Sequence, residues 1–310
     1  MTNPASTKPP STNAASPAAP FGRALCAMVT PFTASGALDT DGARRLAAHL
    51  VAEGCDGLVL SGTTGESPTT TDAEKAELVR AVRAAVGDGV PVVAGVGTAD
   101  TRHTVRLALD AEKAGADGIL VVGPYYSRPP QDALEAHFRE VADASGLPVL
   151  LYDIPGRTGV RIEPETLIRL ADHPRIVGVK DCSYDLLGTQ KVLARTQLAY
   201  YAGCDEQILA LYAVGAAGYV STVANVVPRR LRAVLDTFDT GDTGGAALLQ
   251  RRAMELIESM MASGLPGTVT AKALLGELGL PAGPVRAPLR PAGRGTVDGL
   301  LAAYRAYVDA

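Results

Sequence analysis

The residue in this sequence best suited to covalent chemistry is a lysine near the end of a short apolar run, Arg175-Ile176-Val177-Gly178-Val179-Lys180-Asp181. In an extended strand, Ile176, Gly178 and Lys180 share one face, and Val177 and Val179 the other. If the valines meet a helical layer, Lys180 points to the interior and Gly178 leaves space beneath it. Burial penalises an ammonium, lowers its pKa and frees the amine as a nucleophile. At the reference value of ~10.4 about one lysine in a thousand is neutral near pH 7.4. A pKa of ~7–8 recovers most of that factor, on the order of 3–4 kcal/mol. The pattern leaves a second reading open, a strand-end lysine that reaches out to water.

Other polar residues cluster after similar apolar runs. Tyr152 shares a face with Leu150 in Pro148–Asp153, and Ile154-Pro155-Gly156-Arg157-Thr158-Gly159 follows. An arginine fork donates two parallel hydrogen bonds to a carboxylate, although a loop arginine is equally a solvated charge. Ser61-Gly62-Thr63-Thr64-Gly65-Glu66-Ser67 offers hydroxyls and backbone N–H groups between glycines, which can cradle an anion or simply form a tight turn. Gly123-Pro124-Tyr125-Tyr126 places two tyrosines at another run's end, where loop packing is the plainer role. No histidine lies near these ends, so acid–base work there falls to tyrosine.

The elements that must position these groups alternate in type. Eight apolar runs read as strands buried on both faces: Ala24–Thr30, Gly57–Ser61, Pro91–Gly95, Gly118–Val122, Pro148–Asp153, Arg175–Asp181, Leu198–Gly203 and Gly218–Thr222. Helical patterns separate them. Ala43, Leu46, Ala47 and Leu50 make one helix face, and Thr71 with Glu74 forms a capping box. Gly54, Gly87, Gly115 and Gly146 are expected as left-handed helix ends, and Pro164 suits a first helical turn. This rhythm predicts a (β/α)₈ barrel over residues 21–242, with active-site residues at the C-terminal strand ends. A doubly wound sheet fits less well, because Val29-Thr30-Pro31-Phe32 is no glycine-rich phosphate turn. Helical patterns at Gly244–Met261, Val269–Leu278 and Thr296–Val308 form a C-terminal helical unit over residues 243–310, with Pro281–Pro291 as a connector. Residues 1–20, rich in Ser, Thr, Ala, Asn and Pro, read as a disordered tail.

Composition removes whole classes of function. A formal net charge of −4 with no basic run argues against nucleic acid and anionic membranes. No apolar stretch reaches the roughly 18 residues of a membrane span, and there is no Trp to build a base-stacking platform. Cys26, Cys55, Cys182 and Cys204 match no zinc spacing, and His49, His103, His137 and His173 are scattered. No metal site is expected, and a reduced, cytoplasmic protein is the simple reading.

Taken together, Thr30-Pro31-Phe32, Gly62–Ser67, Pro124-Tyr125-Tyr126, Tyr152–Gly159 and Val177–Asp181 resemble the dihydrodipicolinate synthase family of pyruvate-dependent class I aldolases. The resemblance runs from Gly22 to the C-terminus. It implies that Lys180 forms a Schiff base with pyruvate and that Tyr152 transfers protons, linked through Thr63 to Tyr126. It implies that Tyr126 reaches into a neighbouring subunit, as in a homotetramer built as a dimer of dimers. Thr64 would bind the pyruvate carboxylate and Arg157 the carboxylate of L-aspartate 4-semialdehyde. Gly203 and Val220 would line the pocket with backbone. No cofactor is implied.

Three features depart from the family pattern and bear on the second substrate: Gly123 before Pro-Tyr-Tyr, Cys204 beside Asp205, and the Lys180-Asp181-Cys182-Ser183 ending. Cys204 is expected as a small packing residue. Positions matching the family's lysine-binding pocket carry Asp72, Lys75, Ala99 and His103 beside Tyr125, which implies weak or absent feedback inhibition by L-lysine. Two other functions stand as alternatives. A sugar-acid aldolase of the N-acetylneuraminate lyase kind lacks a reason for Arg157 and the tyrosine pair. A catalytically silent paralogue should have lost Lys180 or Tyr152, and both are present.

Overall fold

The computed structural model describes residues 18–309. The expected tail therefore lies, up to residue 17, outside the described residues. Eight strands alternate with helices: β1 (Ala24–Ala27), α1 (Thr40–Ala52), β2 (Gly57–Leu60), α2 (Asp72–Val86), β3 (Val92–Gly95), α3 (Thr101–Lys113), β4 (Gly118–Val122), α4 (Gln131–Ala144), β5 (Val149–Asp153), α5 (Pro155–Thr158), α6 (Pro164–Leu170), β6 (Ile176–Asp181), α7 (Leu186–Leu193), β7 (Ala199–Ala202), α8 (Ile208–Ala213), β8 (Gly218–Ser221) and α9 (Pro228–Asp239). The strands pair in sequence order, all parallel, and β8 closes on β1. This is the expected (β/α)₈ barrel. Three further helices follow, α10 (Thr243–Met261), α11 (Gly267–Glu277) and α12 (Arg294–Val308).

Two cores explain the apolar runs. Alternate strand residues such as Leu58, Val92, Val121, Leu151 and Val179 pack outward against the helices. Leu25, Val59, Val93, Leu120, Leu150, Tyr201 and Val220 fill the barrel interior, with Phe21 among them. Burial on both faces is why these strands show no polar alternation.

Local signals hold with one exception. The Thr71–Glu74 capping box forms in both directions, Pro164 opens α6, and Gly54, Gly87 and Gly115 adopt positive φ. Gly146 does not. Helix α4 ends in an extended Ser145 instead, and the Gly146 amide donates to Glu112 Oε1 at 3.1 Å. A Cβ at Gly146 would sit 2.6 Å from that oxygen, so glycine serves close approach there.

A register shift between Val149 and Leu150 interrupts the β5–β6 pairing. It corrects the expected alternation at the start of β6. Ile176 joins the outer core and Val177 the interior cluster, the reverse of a regular pleat. Beyond the irregularity the expected phase returns, with Val179 outward. Gly178 permits close backbone approach, since a Cβ there would collide with the Ala199 carbonyl of β7 and touch Leu150 Cδ1 at 3.1 Å.

Candidate active site

The C-terminal mouth of the barrel gathers the polar groups. Lys180 and Tyr152 are paired residues on neighbouring strands, so both side chains rise from the same level. Each is 4% exposed. The Lys180 Nζ lies 4.3 Å from the centroid of the Tyr152 ring. Burial lowers the Lys180 pKa, because the barrel offers the ammonium little solvation. The same burial raises the Tyr152 phenol, and nearby Thr63 opposes that shift. Cys182 Sγ donates to the Tyr152 hydroxyl at 3.9 Å. A neutral amine and a protonated phenol in contact can form an imine and move protons.

Gly203 makes this geometry possible. A Cβ there would lie 3.0 Å from both Cγ and Cε of Lys180 and 2.5 Å from Cys182 Sγ. The lysine stem therefore crosses space that any side chain at 203 would occupy. Val220 is fully buried in the interior cluster that also holds Tyr152.

The loop after β2 supplies the hydroxyls. Thr64 is buried and shares a 2.8 Å hydrogen bond with Thr222, while Thr30 Oγ1 donates to the Gly65 carbonyl at 2.6 Å. Glu66 stands in the left-handed region at φ 56° and is buried. Its Oε1 lies 2.6 Å from the Lys272 ammonium of α11, and its Oε2 accepts from the Arg286 amide at 2.8 Å. Thr268 Oγ1 donates to the Thr63 carbonyl at 3.2 Å. The C-terminal helical unit thus clamps the loop that carries Thr63 and Thr64. Nothing in the spacing of Glu66, Thr268, Lys272 and Arg286 announces this link, because it joins segments about 200 residues apart.

A cavity of about 360 Å³ opens beside these groups, lined by Thr63, Tyr152, Arg157 and Tyr125. Asp72, Lys75 and His103 also line it. His103 Nε2 is 3.0 Å from both Asp72 oxygens. Lys75 Nζ donates to the Ser67 and Thr70 carbonyls at 2.8 and 2.6 Å. A histidine therefore does lie near the mouth, brought there by the start of α3. Ala99 is exposed and is not among the lining residues. Arg157 is exposed on the rim.

Tyr126 stands apart from the other expected site residues. It is 95% exposed and held at φ 73°, a conformation that costs a bulky residue about 1–3 kcal/mol. Within one chain it does not join Thr63 and Tyr152. Ser61, Glu66, Arg128 and Tyr184 also take positive φ, all in loops at this mouth.

Asp205 was missed by sequence reading, which weighed only its neighbour Cys204. It is 1% exposed, accepts from Ser221 Oγ through Oδ1, and leaves Oδ2 without a partner. Burial pushes its carboxyl up to about 6. An acidic residue three positions beyond the end of β7 was the available signal.

Known proteins resemble the chain along most of its length. The dihydrodipicolinate synthetase family model matches residues 20–303. The 4-hydroxy-tetrahydrodipicolinate synthase 1 of Streptomyces coelicolor is 84% identical over 286 residues, covering 92% of this chain and 94% of that one. The synthase of Acidothermus cellulolyticus is 60% identical, covering 87% of each chain. A crystal structure of the Cyanidioschyzon merolae enzyme with lysine bound superposes with a TM-score of 0.90 at 38% identity, over 93% of this chain and 99% of that chain. By its sequence, its closed barrel and these matches, the chain belongs to the dihydrodipicolinate synthetase family.

Proposed function

We propose that this chain condenses pyruvate with L-aspartate 4-semialdehyde, the 4-hydroxy-tetrahydrodipicolinate synthase reaction of diaminopimelate and lysine biosynthesis. The observation that carries this reading is the buried Lys180 ammonium position against Tyr152, in a family member 84% identical to a curated synthase.

The neutral Lys180 amine attacks the keto carbon of pyruvate, and loss of water leaves an imine. The imine withdraws electrons as a methyl proton leaves, giving an enamine. The enamine carbon attacks the aldehyde and forms the new C–C bond. The aldehyde substrate's own amine then attacks the imine carbon, closes the ring and displaces Lys180. Tyr152 moves the protons, and Thr63, which lines the same cavity, gives them a route away from the lysine. Thr64 receives the pyruvate carboxylate, and Arg157 at the rim of the same mouth receives the carboxylate of the aldehyde. Gly203 and Val220 contribute space and backbone. No metal or organic cofactor takes part in these steps.

The fully exposed, strained Tyr126 supports assembly, since a neighbouring subunit would give its side chain a site to complete. A homotetramer built as a dimer of dimers is the arrangement we propose. Among the described residues no helix is long and apolar enough to cross a membrane.

The deciding experiment is a coupled assay with pyruvate and L-aspartate 4-semialdehyde, run beside N-acetylneuraminate and other sugar acids. Borohydride trapping with pyruvate should place one reduced adduct per chain on Lys180. Preferred turnover of a sugar acid, or an adduct on another lysine, would overturn the reading.

A further inference from the structure

Two thiols sit beside the groups that carry the chemistry. Cys182 follows β6 and Cys204 follows β7. Asp181 pairs with Ala202, and the Gly203 amide donates to the Asp181 carbonyl. Extending that register sets Cys182 opposite Gly203, one residue from Cys204. Neighbouring strands stand ~4.8 Å apart with a rise of ~3.3 Å per residue, so the two Cα atoms are about 6 Å apart. Disulfides span Cα separations of roughly 4.4–6.8 Å. Both side chains pack on the interior cluster that holds Tyr152, and a Cβ at Gly203, between them in sequence, would meet Cys182 Sγ at 2.5 Å.

We propose that Cys182 and Cys204 are an oxidisable pair, which a hydroperoxide converts to a disulfide that disables Tyr152 and Lys180.

The two sulfurs are unequal in the way such a pair requires. Cys204 is half-buried and Cys182 is 6% exposed, so the oxidant meets Cys204 first. Neighbouring Cys182 and Tyr184 hold the Cys204 thiol below its ordinary value against the effect of burial, and the Tyr184 hydroxyl donates to Glu206 Oε1 at 2.6 Å. Neighbouring Cys204, together with burial, pushes Cys182 up. Attack therefore begins at Cys204, the sulfur with more thiolate character. Its thiolate takes the outer oxygen of the hydroperoxide. An S–O bond forms, the O–O bond breaks, and the leaving alkoxide or hydroxide takes up a proton. Cys182 then attacks the sulfenic sulfur, loses its proton and expels water. Two thiols lose two electrons, and the hydroperoxide is reduced to an alcohol, or to water if it is hydrogen peroxide, with a second water released.

The consequence follows from what Cys182 touches. Its S–H donates to the Tyr152 hydroxyl, and its sulfur lies with the Lys180 stem over Gly203. A disulfide removes that donor and adds a rigid bridge beside Nζ. Cys26 and Cys55 form a second neighbouring pair, but both are buried in the outer core and away from the oxidant.

The proposal rests on Lys180 as the Schiff-base residue, and the test separates the two. The reduced full-length enzyme is titrated with hydrogen peroxide, and differential alkylation with peptide mapping locates any disulfide. Pyruvate–borohydride adduct on Lys180 and turnover are measured in parallel, before and after dithiothreitol. The expected result is a Cys182–Cys204 disulfide that forms as turnover falls by about 10²-fold, the usual worth of a lost acid–base group. The adduct should fall with it, and dithiothreitol should restore both. Cys55→Ser should respond like the parent, while Cys204→Ser should keep its own starting adduct level under peroxide. Should Cys204→Ser not fold, the disulfide map of the parent decides. A bridge confined to Cys26–Cys55, no bridge at all, or a Cys182–Cys204 bridge with undiminished adduct overturns the proposal. An adduct absent from the reduced enzyme overturns the Schiff-base reading and, with it, the inhibitory effect claimed for the bridge.

Discussion

Replacing Gly203 with alanine tests whether the lysine stem depends on that empty space. The added methyl would sit 3.0 Å from Lys180 Cγ and Cε and 2.5 Å from Cys182 Sγ. Carbon atoms prefer separations of about 3.5–4.0 Å, so the stem must shift by about 0.5–1 Å. Gly203 is not among the positive-φ glycines, so the cost is packing and not backbone strain. Overpacking of this kind costs about 1–3 kcal/mol in stability, which leaves a folded protein. A displacement near 1 Å at the reacting atom can cost about 10² in rate. Gly203→Ala should therefore remain folded in a thermal melt, lose on the order of 10²-fold in turnover, and trap pyruvate on Lys180 more slowly. Gly276→Ala in α11, where a Cβ meets nothing within 4 Å, should keep the parent rate and gain up to ~1 kcal/mol. Parent-like trapping and turnover in Gly203→Ala would refute the steric argument.

Other outcomes follow from the same geometry. Tyr152→Phe should keep the fold and lose at least ~10²-fold in turnover, the size of a general acid–base contribution; a parent-like rate removes Tyr152 from the relay. Arg157→Ala should weaken the aldehyde substrate more than pyruvate, by about 2–5 kcal/mol for a lost charge-assisted pair, so equal changes in both KM values would count against it. Burial lowers the Lys180 pKa from 10.5, so the free amine appears at lower pH, and the trapping rate should rise with pH through a midpoint below that value. A midpoint at or above 10.5 would show the amine to be solvated. L-lysine should inhibit weakly. Asp72 is already engaged by His103, and Lys75 adds a like charge that an unpaired ligand ammonium would meet. Half-inhibition below about 1 mM, a binding energy near −4 kcal/mol, would contradict this.

Much of the barrel was legible because its causes are local. Eight doubly apolar runs, the Thr71–Glu74 cap and glycines such as Gly54 act within a few residues, and each appears where the pattern placed it. The phase of Lys180 could also be read, since a pleat of period two carries a side chain reliably over three residues. It failed only at Ile176 and Val177, where the β5–β6 register shift breaks the period. That shift depends on how two strands meet, which neither strand's sequence states. The roles given to Tyr152, Arg157 and Tyr126 came from resemblance, because strand-end tyrosines and loop arginines are ambiguous alone.

Tertiary structure decided what lies against what. It set the Lys180 ammonium over the Tyr152 ring, made Gly203 the space for the lysine stem, and brought Cys182 and Cys204 together from 22 positions apart. It also tied Lys272 and Arg286 to the loop of Thr63 and Thr64 through Glu66. Sequence alone fixed the alternation of elements because hydrophobic period and capping act within a turn or a strand. The contacts waited for closure of the barrel, since side-chain proximity across strands depends on register, and register is a property of the closed sheet.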